Sequence, residues 1–216
     1  MKFTIKKIGH SCVTYERDGV KILVDPGDWS EGAEKEAGIS QIFITHKHPD
    51  HLSIPMLQAL VLGNPGVKVW TNNDVGVELD KSGIPWELFE DGVREFGSIK
   101  IEAVGKFHAR IHRDLPDIGN TGLYFDDGAF FHPGDSHLLP NKPVQVLALP
   151  FMAPWCGIEQ ATDFALGVKP KHCFGIHDGF LRKEAERFRS LPKGFLEKAG
   201  IDYFVLENGE SRTFEI

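Results

Sequence analysis

Cysteine is scarce in this chain. There are three in 216 residues, Cys12, Cys156 and Cys173, an odd number, widely spaced and without a CxxC pair. That excludes a disulfide framework and predicts reduced thiols, as in a cytoplasmic protein. Long apolar runs are missing as well: none approaches the roughly 18 residues of a membrane helix, so no membrane partner is expected. The opening Met1-Lys2-Phe3-Thr4-Ile5-Lys6-Lys7-Ile8 alternates like a strand and lacks the apolar centre of a secretory signal. Positive charge is also short. With 24 Lys and Arg against 31 Asp and Glu, the formal net charge is −7. A protein built to grip long nucleic acid needs a basic face, so no nucleic-acid partner is expected.

What is present suffices for a real core: 41% of residues are hydrophobic and four are Trp. The length predicts one domain over residues 1–216. Histidine is the unusual component. Three of the ten fall in the stretch Thr45-His46-Lys47-His48-Pro49-Asp50-His51-Leu52. The apolar run Gln41-Ile42-Phe43-Ile44 before it reads as a buried strand. Ser53-Ile54-Pro55-Met56-Leu57-Gln58-Ala59-Leu60 after it reads as a helix, with Ser53 as N-cap and Pro55 in the first turn. The cluster therefore lies on a strand-to-helix turn. His46 and His48, two apart, point the same way in extended backbone, and the turn brings Asp50 and His51 to a neighbouring point. Neutral imidazoles suit zinc and similar ions, and a carboxylate adds a hard oxygen ligand.

In chain order, strands are predicted at 2–8, 12–16, 20–24 and 41–44, with Asp18-Gly19 as a hairpin turn and residues 28–40 as loop. A helix follows over 54–62, a strand at 67–70, a helix over 73–81, and strands around 93–96 and 98–104. Residues 123–125 and 129–132 form a hairpin across Asp126-Asp127-Gly128 that runs into Pro133-Gly134-Asp135-Ser136. Then come a buried strand at 144–149, a helix over 162–166, a strand at 171–176, and a long amphipathic helix over 182–199 stopped by Gly200. Strands at 202–206 and 211–215 close the chain as a hairpin over Asn208-Gly209. Strands then helix, twice over, predicts an α+β fold with many strands.

The run His46-Lys47-His48-Pro49-Asp50-His51 matches the HxHxDH signature of the metallo-β-lactamase superfamily, and the chain resembles that family over residues 9 to 177. The resemblance implies a four-layer αβ/βα sandwich, two mostly antiparallel or mixed sheets with helices outside. It also implies two divalent ions, Zn2+ first, with Mn2+ or Fe2+ as alternatives. One ion would take His46, His48, His108 and Asp135, and the other Asp50, His51, His177 and Asp135. Gly9-His10-Ser11-Cys12, Val24-Asp25-Pro26-Gly27 and Gly119-Asn120-Thr121-Gly122 resemble the branch that includes ascorbate-6-phosphate lactonase. They make His10, Asp25, His112 and Asn120 candidates for supporting the ligands or touching substrate. His132 is expected to be structural. The acid of His177-Asp178-Gly179 has no counterpart in the family pattern.

These residues predict a metal-dependent hydrolase in which a hydroxide at the dinuclear site attacks a small ester, lactone or phosphodiester, with Asp50 also holding the nucleophile in line. Two divalent ions, two carboxylates and one hydroxide leave a formal charge of about +1, which favours an anionic substrate. Lys106, Arg110 and Arg113 would extend that charge, and the backbone of 119–122 would add N–H donors. The apolar run Phe151-Met152-Ala153-Pro154-Trp155 is expected to form a pocket wall, a homo-oligomer contact or ordinary core. The alternatives are a metal-binding sensor or binding module on the same fold, and a nucleic-acid phosphodiesterase. Oxygen or nitric oxide reduction at di-iron would call for a replaced turn histidine and a flavin domain, and neither is seen.

Overall fold

The computed structural model describes residues 1–216 except for the side chain of Lys183. Two seven-stranded sheets face one another. The first contains β1 (Lys2–Gly9), β2 (Cys12–Arg17), β3 (Val20–Val24), β4 (Gln41–Ile44), β5 (Lys68–Thr71), β6 (Glu87–Leu88) and β14 (Ser211–Glu215), in the order β14-β1-β2-β3-β4-β5-β6. The second contains β7 (Val93–Phe96), β8 (Ile99–Val104), β9 (Gly122–Phe125), β10 (Phe130–His132), β11 (Val146–Pro150), β12 (His172–Ile176) and β13 (Asp202–Phe204), in the order β13-β12-β11-β10-β9-β8-β7. Each sheet pairs antiparallel at one end and parallel at the other, so both are mixed and the two halves mirror one another.

The layers follow from period-two patterning. Ile22, Val24 and Phe43 face the other sheet, whereas their neighbours Leu23, Ile42 and Ile44 face outward. Phe130, Val146, Ala148 and Phe174 likewise point inward, and Phe131, Leu147, Leu149 and Cys173 outward. Helices α1 (Ile54–Gly63) and α2 (Asn73–Lys81) cover the outer face of the first sheet through Leu57, Leu60, Val75 and Leu79. Helices α3 (Ile158–Val168) and α4 (Lys193–Leu196) cover the second through Ala161, Phe164, Ala165 and Leu196. This is the expected four-layer arrangement.

Four local expectations fail. The closing strands are no hairpin: β13 pairs parallel with β12 in the second sheet, and β14 pairs antiparallel with β1 in the first. The Asn208-Gly209 turn instead docks on β1, with Gly209 N donating to the Lys7 carbonyl and Lys7 N to that of Glu210. The helix expected over 182–199 is a 3-10 segment (Lys183–Ser190), then α4, then a 3-10 turn (Glu197–Ala199). Pro192 between them has no N–H to continue the ladder. Helix α3 begins at Ile158, earlier than residue 162, and Gln160 accepts from the Gly157 N–H at its start. Ser53 stands at the start of α1 but makes no side-chain cap.

Candidate metal centre

Strand direction gathers the site. β1, β3 and β4 run the same way, as do β8, β10, β11 and β12, and the candidate residues sit just past their carboxyl ends. Loops on a rigid scaffold are where such groups can be placed without disturbing the core. His46, His48, His108 and Asp135 form one group, and His10, Asp50, His51 and His177 another; within each, one ligand atom per residue lies within 4.8 Å of the rest. All seven residues expected as ligands therefore converge, and His10 joins them.

Asp135 links the groups. Its Oδ2 lies 3.2 Å from His108 Nε2 and 2.9 Å from His177 Nε2, and its Oδ1 lies 3.1 Å from His51 Nε2. His46 Nε2 and His48 Nδ1 are 3.1 Å apart, and Asp50 Oδ2 is 3.3 Å from His177 Nε2. Zinc–nitrogen bonds of 2.0–2.1 Å would put neighbouring tetrahedral ligands about 3.3 Å apart, close to these spacings. His51 Nε2, His177 Nε2 and Asp135 Oδ1 are buried, and none has a hydrogen bond of acceptable geometry. Buried polar atoms left unpaired in this way are costly, and a shared cation would satisfy all three.

The far sides of four imidazoles, those of His46, His51, His108 and His177, are tied down, which frees the ligand atom. His51 Nδ1–H donates to Asp25 Oδ2 at 2.7 Å, His177 Nδ1–H to the Met152 carbonyl at 2.6 Å, and His108 Nδ1–H to the Ala109 carbonyl. Thr45 Oγ1–H donates to Asp25, so the 3.1 Å contact from His46 Nδ1 to that hydroxyl is a donation by the imidazole. Each bond leaves the Nε2 lone pair facing the centre, as metal-binding histidines require. Asn120 bonds to the Asp135 loop: its Oδ1 accepts from Asp135 N at 3.0 Å and its Nδ2 donates to the Pro133 carbonyl. Three site residues carry backbone strain. His10, Asp25 and His177 have φ of 43°, 52° and 65°, left-handed values that side chains seldom adopt. Gly27 makes room for the turn, because a Cβ there would fall 1.9 Å from the Asp50 carbonyl oxygen.

Burial holds His46 and His48 below the ordinary histidine value, aided by the neighbouring His51 and His108 respectively, so both favour the neutral form. Burial would lower His51 and His177 too. The Asp135 carboxylate outweighs it, raising His51 well above its usual value and His177 to about 9. Burial would raise Asp135, but His51 and His177 hold it well below the usual carboxylate range. Protons on His51 and His177 thus compete with a divalent cation for the same carboxylates. His10 differs from the rest. Gly179 N–H donates to its Nδ1 at 3.0 Å, so Nε2 carries the proton and donates to Asp50 Oδ2, also at 3.0 Å. Burial pushes His10 down to about 4. It orients Asp50 and does not offer a lone pair.

Other expectations are redistributed. His112 belongs to neither group; it is exposed and lines a 190 Å³ cavity beside His48 and His108. Arg110 lines that cavity but pairs with Asp117 at 3.4 Å, Arg113 lies beside Asp114, and Lys106 lines a separate cavity with Asp74 and Glu90. The N–H groups of Gly119, Asn120 and Thr121 are taken by Asp74, Lys106 and Thr45. His132 is structural, bonded to the Ser11 carbonyl. Asp178 anchors the segment after His177 through Lys7 at 2.5 Å and Arg189 at 2.9 Å, all largely buried. Phe151 is core, whereas Pro154 and Trp155 line a 280 Å³ cavity over the two groups. Trp155 Nε1–H donates to Asp135 Oδ2 at 3.1 Å. That bond, and the roles of Thr45, Met152 and Gly179, carried no motif by which to find them.

A profile of a beta-lactamase superfamily domain matches residues 4–177. Protein Rv0786c of Mycobacterium tuberculosis is 34% identical over 212 residues, 95% of this chain and 97% of that protein. A UPF0173 metal-dependent hydrolase of Agrobacterium fabrum is 28% identical over 151 residues, 62% of this chain and 63% of that one. Among solved structures, a metallo hydrolase from the archaeon Ignicoccus hospitalis superposes with a TM-score of 0.79 over the whole of both chains, at 23% identity. At that identity the likeness concerns the fold.

Proposed function

This chain belongs to the metallo-β-lactamase superfamily, and from that premise we propose that it is a dinuclear metal-dependent hydrolase of small anionic esters, lactones or phosphodiesters. The observation that carries the reading is Asp135, one buried carboxylate placed between two groups of imidazoles, with its Oδ1 and two facing Nε2 atoms unpartnered. His46, His48, His108 and Asp135 would hold one ion, and Asp50, His51, His177 and Asp135 the other. Zn2+ suits this nitrogen-rich set, with Mn2+ or Fe2+ as alternatives. Two such ions, when bound, supply Lewis-acid polarisation and a hydroxide nucleophile near neutral pH.

The protein's own groups do the rest. Asp25, Met152 and Ala109 fix the imidazoles in the tautomers that can ligate. Asn120 and Trp155 fix Asp135 through its backbone and carboxylate. Asp50 Oδ2, held by His10, is placed to orient the nucleophile and to accept and return a proton. No cysteine competes for the nucleophile's role, since burial pushes the Cys156 thiol up to about 12 and raises those of Cys12 and Cys173 as well. The resemblance of the segments around His10 and Asp25 to the ascorbate-6-phosphate lactonase branch supports keeping lactones among the substrates.

The test is turnover by chelator-stripped protein reloaded with Zn2+, Mn2+ or Fe2+, offered bis-p-nitrophenyl phosphate, p-nitrophenyl acetate and a phosphorylated sugar lactone. Metal-dependent hydrolysis of at least one, abolished in Asp135→Asn, is expected. No turnover with any ion would favour a metal-binding module instead.

A further inference from the structure

We propose that the pocket over the two groups seats the body of its substrate by apolar contact. It would take esters, lactones or phosphodiesters that carry an aromatic or branched apolar group beside the reacting centre. The inference rests on the hydrolase reading and narrows its substrate class.

The 280 Å³ cavity above Asp50, Asp135 and His177 is rimmed by Trp29, Ile111, Pro154, Trp155 and Phe180. These come from four separate segments of the chain. Trp29, Phe180 and Ile111 are 44%, 43% and 39% exposed, too open to serve as core. Single exposed apolar residues are ordinary on a protein surface, but several that converge on one concavity mark a binding site. Three of the five rim residues are also fixed in place. Trp29 meets Phe180 edge-on at 4.8 Å and His10 edge-on at 4.8 Å, Phe180 stacks on His177 at 5.4 Å, and Trp155 is tied to Asp135 by its indole N–H. A binding wall that is ordered beforehand loses little entropy when a ligand docks.

Charge points the same way. Among the described residues no Lys or Arg lines this cavity. Of the nearby cations, Arg110 faces only the adjoining cavity and is paired with Asp117. An anionic group would therefore be recognised at the His and Asp centre itself, and the rest of the ligand meets apolar walls. The size is suitable too. An apolar cavity of about 150 Å³ accommodates a benzene ring, so this one holds a phenyl group together with a phosphate or carboxyl ester.

The test uses zinc-loaded full-length protein and two unreactive anions of equal charge type, phenylphosphonate and methylphosphonate, measured by calorimetric titration. Alongside them, turnover of phenyl p-nitrophenyl phosphate is compared with that of methyl p-nitrophenyl phosphate, each corrected for its rate in alkali. Burial of the ring should favour the phenyl member of each pair by roughly 10- to 100-fold. Trp29→Ala and, separately, Ile111→Ser should each shrink that ratio several-fold, with methylphosphonate affinity little changed. Equal affinity for the two phosphonates, no phenylphosphonate binding at millimolar concentration, or a ratio untouched by both substitutions overturns the proposal. A phenyl preference in binding without turnover of any ester leaves the apolar site standing and removes the hydrolase reading instead.

Discussion

Asp25→Asn separates what holds the fold from what prepares the centre. Asp25 is fully buried and accepts three hydrogen bonds of 2.7 Å, from Thr45 N to Oδ1 and from Thr45 Oγ1 and His51 Nδ1 to Oδ2. Asparagine keeps the shape and one acceptor, but it puts an NH2 group where two donors arrive. Each hydrogen bond to a charged group contributes about 1.5–3 kcal/mol, so losing the two at Oδ2 costs about 3–6 kcal/mol if nothing adjusts. Much of that can be recovered if His51 changes tautomer and accepts from the new amide at Nδ1. Its Nε2 then carries a hydrogen toward Asp135 Oδ1, 3.1 Å away, and can no longer ligate. With a domain stability of about 5–15 kcal/mol, the variant should fold. Denaturation with the metal chelated should show a loss of about 1–4 kcal/mol. Zinc titration against a competing chelator should show one of two ions bound about 10–100-fold more weakly. Unchanged affinity for both ions would refute the claim that Asp25 sets the His51 tautomer for metal.

Two other outcomes follow from the same geometry. His10→Ala should lower kcat about 10–100-fold with metal content nearly unchanged, because it removes the donor to Asp50 along with the acceptor for Gly179 N–H; His10→Gln, which can still donate, should recover part of the loss. Zinc affinity should rise with pH through the range 6–8. His177 is raised to about 9 and His51 well above its usual value, so below those values a proton must leave each ring before it can ligate. Affinity should therefore fall as pH falls, by about a decade per pH unit for each proton displaced; a flat profile across pH 6–8 would contradict the shared-carboxylate picture.

How far the sequence could be read depended on how local each feature is. The turn from His46 to His51 was legible because four chemical groups lie within six residues, after a strand and before a helix. His108, Asp135 and His177 were legible only through their resemblance to a known pattern, since each is a single residue at a strand end. The strands themselves were legible as apolar runs and alternating segments, whereas the two facing sheets came only through the family resemblance, because runs such as 41–44 are apolar on both faces. The closing hairpin misled because Asn208-Gly209 has hairpin chemistry, whereas pairing partners are chosen by open sheet edges far away in sequence. The break at Pro192 was visible in principle, and the amphipathic pattern around it concealed it. Trp155 stood out as part of the apolar run Phe151–Trp155, but Trp29, Ile111 and Phe180 lie in irregular segments with no periodicity, so nothing in the sequence joined them to it as one wall.

The central claim is that Asp135 joins two ions. Anomalous diffraction at the zinc absorption edge, from crystals grown with excess zinc, tests it most directly. Two peaks should flank the Asp135 carboxylate, one beside His46, His48 and His108 and the other beside Asp50, His51 and His177, both at about 2.0–2.2 Å from their ligands. A single peak under saturating zinc, or peaks only elsewhere on the surface, would contradict the dinuclear assignment.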